Sequence, residues 1–133
     1  MGNVIKTREH SFEDETKQIG IDFDGVIHKN SKGFYDGTVY DKPVKGVEEA
    51  LEFISSKYEI IVYSAKARKD RMLINDKTGK QLIEEWLKKH DLMKYVKEVT
   101  SEKPRAVCYI DDKAIEFFDW DSCFERMKKK ELI

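Results

Sequence analysis

The sequence predicts an α/β fold, a central parallel sheet flanked by helices, and three observations carry that expectation. Short β-prone runs alternate with stretches of helical apolar period, the pattern of repeated strand–helix–strand units. The first such run, Gln18 to Ile27, is apolar on both faces, as a central parallel strand should be. Polar signals fall just after the strands rather than along them, which is where a parallel sheet places its chemistry. A chain of 133 residues is one domain with one core.

Taken in order, residues 1–17 are polar and charged without a period and are expected to form a loose arm, with residues 18–133 as the folded domain. After the first strand, residues 28–41 hold Gly33, Gly37, Asn30 and the aromatics Phe34, Tyr35 and Tyr40, which reads as a turn-rich flap or short hairpin. Pro43 opens a helix whose apolar stripe is Val44, Val47, Ala50, Leu51 and Ile54. Tyr58 to Tyr63 is the second strand and ends on Ser64. A short helix is expected over Lys66 to Ile74. Gly79 then punctuates the chain before an amphipathic helix marked by Leu82, Ile83, Trp86 and Leu87, running to about His90. Val96 to Thr100 is the third strand, and Ala106 to Ile110 the fourth. From Ile115 onward a partly helical segment offers Phe117, Phe118, Trp120, Phe124 and Met127 as its apolar side.

Composition narrows the function classes. Charged residues make up 38% of the chain but the net charge is -1, so the surface as a whole does not favour nucleic acid or an anionic membrane. Apolar runs such as Ile60 to Tyr63 are far too short to cross a bilayer. Cys108 and Cys123 have neither zinc spacing nor a disulfide-rich context, so a reducing cytoplasm is expected, with Cys108 a small core residue.

The chemistry concentrates in Ile19-Gly20-Ile21-Asp22-Phe23-Asp24-Gly25-Val26. Residues i and i+2 of a strand point the same way, so Asp22 and Asp24 begin on one side, and burying two carboxylates together is costly without a cation. Ser64, Lys103 and Asp111-Asp112 follow other strands, so a parallel sheet brings all of these groups to one edge. Four carboxylates and one lysine call for a divalent cation, and oxygen ligands suit Mg²⁺. Cation and lysine together would attract an anion such as phosphate.

Asp-x-Asp-Gly-Val, then Ile-Ile-Val-Tyr-Ser, then Lys-Pro, then Tyr-Ile-Asp-Asp resembles the four ordered motifs of the haloacid dehalogenase (HAD) superfamily of phosphohydrolases. The likeness spans residues 18–118 and is nearest to small capless bacterial and phage members, because neither intervening segment has room for a large cap. The resemblance implies a Rossmann-like HAD fold and a Mg²⁺-dependent phosphatase. Asp22 would be the nucleophile forming an aspartyl phosphate, and Asp24 the general acid and base. Ser64 would bond a phosphate oxygen, helped by amides opening the next helix, and Lys103 would neutralise charge on nucleophile and phosphate. Asp22, Asp111 and the backbone carbonyl of Asp24 would hold the metal, with Asp112 behind them or bonded to Lys103.

Substrate remains open between nucleotides or nucleic-acid ends, sugar phosphates and other small phosphometabolites. Lys66, Arg68 and Arg71 follow the second motif closely enough to meet a phosphate backbone, although a solvated helix face is the ordinary reading of such a run. His28, just beyond the first motif, is placed to touch substrate, although an exposed loop histidine is the ordinary reading. Two non-enzymatic classes compete: a phosphate- or partner-binding module, and a phosphoacceptor signalling domain. The latter needs an aspartate ending a later strand, whereas strands two and three end on Ser64 and Thr100-Ser101.

Overall fold

The computed structural model describes residues 15–133, so the expected arm lies outside the described residues except for one 3-10 turn, Glu15–Lys17. Four strands form an all-parallel sheet in the order β3-β2-β1-β4, built from β1 (Gln18–Asp22), β2 (Glu59–Tyr63), β3 (Val96–Thr100) and β4 (Cys108–Ile110). β1 therefore sits inside, with Asp22 opposite Tyr63 on β2 and Ile21 opposite Ile110 on β4. Parallel neighbours need crossover connections, and three helices are found among the described residues: α1 (Val47–Ser55), α2 (Gly79–Lys89) and α3 (Trp120–Lys129).

The core lies on one face of the sheet. Ile19 and Ile21 of β1 pair in register with Ile60 and Val62 of β2, so all four point the same way. Leu51 of α1 and Ile83, Trp86 and Leu87 of α2 close over them. Helix α2 starts on a capping box, in which the Thr78 hydroxyl accepts from Gln81 N–H while the Gln81 side chain accepts from Thr78 N–H. Gly79 is thus the first residue of the helix, and the box on Thr78 fixes that start.

Several boundaries differ from the sequence expectation, each for a local reason. The first strand stops at Asp22 because the carbonyl of Phe23 accepts from the amides of both Ile27 and His28, closing a turn in which Gly25 has φ 89. Helix α1 begins at Val47 rather than Pro43, because Pro43 is held in a bridge with His28. The helix expected over Lys66 to Ile74 is only the 3-10 turn Ala65–Ala67. Beyond it Asn75 and Asp76 turn left-handed within a small Ile74–Lys77 bridge. β4 begins at Cys108, and its three residues are all exposed, so Cys108 is not a core residue. The aromatics expected to pack the C-terminal segment also face outward: Phe117, Phe118, Trp120 and Phe124 are exposed.

Between residues 28 and 43 the chain forms only turns and short bridges, and between 64 and 103 it forms α2 and two 3-10 turns besides β3. No helix among the described residues is long and apolar enough to cross a membrane.

Gly79 fixes how closely α2 approaches the turn after β2, since a Cβ there would collide with the backbone carbonyl of Lys66. Gly79→Ala should therefore lower stability by about 1–3 kcal/mol, the usual range for forced overpacking. Urea unfolding checks this, with Lys80→Ala, one position along on an exposed site, as the neutral comparison.

Candidate active site

Parallel pairing delivers the ends of β1, β2 and β4 to the same edge. Asp22 ends β1, Ser64 follows β2, and Asp111-Asp112 follow β4. Ligand oxygens of Asp22, Asp111 and Asp112 all lie within 4.8 Å of one another. The turn after β1 places Gly25 so close to Asp112 that a Cβ there would overlap its carboxylate. Tyr63 donates to Asp111 Oδ2 at 3.0 Å, and the amide of Lys113 donates to Asp111 Oδ1 at 2.8 Å.

This crowding shows in the proton affinities. Burial, then the charges of Asp111, Asp112 and Asp24, push the Asp22 carboxyl up to about 7, against a smaller opposing effect of Lys113. Asp111 stays below the ordinary carboxylate range, chiefly through the Lys113 amide, with Tyr63 and Lys103 adding to it against the cost of burial. The Tyr63 hydroxyl is raised by burial and by its bond to Asp111. Three converging carboxylates suit a hard divalent cation, and their mutual repulsion is what such an ion would relieve.

Asp24 lives in a different environment. Its side chain turns away from the acidic group toward three donors: His28 Nδ1 at 2.9 Å, Lys66 Nζ at 3.2 Å and Ser64 Oγ at 3.4 Å. Burial alone would raise its carboxyl, but the bond to His28 and the charge and hydrogen bond of Lys66 outweigh it, so Asp24 is held ionised. Lys66 is 4% exposed and also donates to the carbonyl of Thr38 in the flap at 3.0 Å. A charge buried so fully is tolerated because Asp24 pairs it.

The candidate residues thus fall into place unevenly. Asp22, Asp24, Ser64, Asp111 and Asp112 come together. Lys103 is exposed and packs its ammonium over the rings of Tyr109 and Tyr63, at 4.7 and 5.8 Å, on the Asp111 side. Lys113 lies 3.8 Å from Asp112. Ser64 is followed by a three-residue turn, not a helix, and the amide of Lys66 is already taken by the Ser64 hydroxyl at 3.1 Å. The basic run is no uniform solvated face either. Lys66 is interior, Arg68 forms a two-pronged pair with Asp70, and Arg71 lies over the Phe34 ring at 4.8 Å with its Nε bonded to Ala65 O. A cleft of about 470 Å³ between flap and the loop after Arg68 is lined by Phe34, Lys66, Arg71, Leu73 and Ile74 among others.

Two residues gained weight only from the structure. His28, expected at the surface, is fully buried against Asp24. Tyr63 reaches the acidic group from the last position of β2. Tyr63 is part of the second motif itself, and His28 lies two residues past the first.

Compared with protein-family models, with curated proteins and with solved structures, the chain matches none.

The raised Asp22 proton affinity has a signed consequence. Between the ordinary aspartate range and about 7 the folded protein holds a proton that the unfolded chain has lost, so the Asp22 contribution to stability falls as pH rises through this window. Metal-free melting temperatures compared at about pH 5 and about pH 8 should show that fall. Asp112→Asn, which removes one repelling charge, should flatten it and raise the melting temperature at the higher pH.

Proposed function

We propose that the chain is a capless, Rossmann-like phosphatase of the HAD type, requiring Mg²⁺ and hydrolysing phosphomonoesters through an aspartyl phosphate. The observation that carries the reading is the meeting of Asp22 with Asp111 and Asp112 at the ends of adjacent parallel strands, beside an Asp24 separately paired with Lys66. Asp22 Oδ attacks phosphorus, the bond from phosphorus to the ester oxygen breaks, and Asp24 gives that oxygen a proton. Water then attacks the acyl phosphate, passing a proton to Asp24, and inorganic phosphate leaves with Asp22 restored. Asp22, Asp111 and the Asp24 carbonyl would hold the metal, with Asp112 next to them, and a bound Mg²⁺ would supply positive charge for the phosphoryl oxygens.

Asp24 starts ionised, which suits the base step. For the acid step, an arriving phosphate competes for Lys66 and Ser64, and its negative charge raises the proton affinity of the carboxylate beside it. Asp24 then takes a proton from solvent and passes it to the ester oxygen, and the attacking water later gives one back. Lys66, more than Lys103, is the lysine positioned for this exchange, because its Nζ already touches Asp24.

For substrate, the reading is a nucleotide or a phosphorylated nucleic-acid end. The Phe34 ring and Arg71 line a cleft that Lys66 connects to Asp24, a surface suited to a flat ring with an anionic neighbour. With Arg68 engaged by Asp70, a long polynucleotide track has less support than a single end. A sugar phosphate or other small phosphometabolite is the second reading, favoured by a cleft volume in the small-molecule range. The two free cysteines are in keeping with a cytoplasmic setting.

Phosphate release from a broad panel of phosphorylated compounds, with and without Mg²⁺, tests the function. Asp22→Asn should keep the fold and abolish release; near-parent turnover would remove the covalent mechanism. A variant that still binds phosphorylated ligand beside a parent that never turns it over would identify a non-catalytic binding module instead. Arg71→Ala should raise KM for nucleoside monophosphates by about tenfold, the scale of one lost charged contact. An unchanged KM, with activity confined to sugar phosphates, would favour the second substrate class.

A further inference from the structure

The flap ends on an arrangement that the phosphatase reading does not itself require. His28 is completely buried, with its ring stacked on Phe23 at 5.3 Å and met edge-on by Tyr40 at 5.2 Å and Trp86 at 5.5 Å. Its two nitrogens have different partners. The backbone N–H of Asp41 donates to Nε2 at 2.9 Å, so Nε2 is an acceptor and carries no proton. The ring proton of the neutral imidazole then sits on Nδ1, which faces Asp24 Oδ1 at 2.9 Å. The Asp41 peptide that imposes this tautomer is itself pinned, because Trp86 Nε1 of α2 donates to the Asp41 carbonyl at 2.8 Å.

We propose that His28 is a positioning residue for Asp24, with the tautomer set by the Asp41 peptide and the ring clamped by Phe23, Tyr40 and Trp86. One donor of fixed direction decides which way a carboxylate with several competing partners points. Lys66 reaches the same oxygen through a flexible stem and is also shared with Thr38, so it supplies charge with little directional control. His28, locked in a stacked cage, supplies direction. The role rests on the phosphatase reading, in which Asp24 must meet the ester oxygen and then the water.

Two measurements test it. The first leaves the protein unaltered: a nitrogen–proton correlation spectrum of the imidazole ring should show His28 protonated on Nδ1 and bare on Nε2. The reverse tautomer overturns the proposal. The second compares His28→Asn, whose amide nitrogen reaches as far as Nδ1, with His28→Gln, whose amide reaches as far as Nε2. Asn should keep kcat within about tenfold of the parent, while Gln loses about 100-fold in kcat with KM little changed, the cost of misplacing a catalytic group by about an ångström. Equal kcat in two folded variants overturns the positioning role. A parent without activity on any phosphomonoester overturns the phosphatase reading, and the catalytic role of His28 with it, whatever the spectrum shows. An active parent with indistinguishable variants overturns the role alone.

Discussion

Parallel pairing of β1 between β2 and β4 is the constraint to which the rest of the molecule answers. The register sets Ile21 beside Ile110, and one residue further on each path reaches an aspartate, Asp22 ending β1 and Asp111 just past β4. Antiparallel pairing would have sent those two ends to opposite edges of the sheet. Instead three carboxylates converge within a few ångströms. The apolar residues that define β1 and its register therefore also define where negative charge accumulates, so the fold and the electrostatic cost cannot be separated.

The molecule divides that charge into two compartments. Asp22, Asp111 and Asp112 face one another with only Tyr63, the Lys113 amide and outlying lysines to soften the repulsion. Asp24, two residues past Asp22, is turned by the Phe23–His28 turn into a separate pocket of donors. One aspartate is left eager for a proton or a cation and the other is held firmly ionised. Environments that push two neighbouring carboxyls apart in this way let chemically identical groups take different parts in one reaction.

Much of this was legible in the sequence because it depends on short-range pattern. β3 was read to the residue, and the gathering of Asp22, Ser64 and Asp111 follows from strand direction alone. What could not be read depends on partners distant along the chain. Lys66 looks like one more member of a basic run, and its burial requires the flap at Thr38 and the close approach of Gly79. The apolar run through Val26 and Ile27 hides a turn, because residues buried in a turn have the same chemistry as residues buried in a strand. Cys108 and the aromatics from Phe117 onward have core-like chemistry, yet β4 is a short edge strand and they lie exposed. Hydrophobic pattern alone does not distinguish an edge from a centre.

The order of the strands also bears on how the chain is made. β1 is made before β4, its partner on one side, and the two are separated by most of the domain. The Val107 amide meets the Gln18 carbonyl only after three crossovers, from β1 to β2, β2 to β3 and β3 to β4, are complete. Until then β1 has an open edge, and contacts so far apart in sequence close slowly. The acidic site is under the same timing. Asp111 and Asp112 are translated after nearly everything they meet, so a nascent chain that already contains β1, β2 and β3 still lacks the charge cluster altogether. The repulsion at the strand ends therefore arises only once β4 has joined β1 in the sheet.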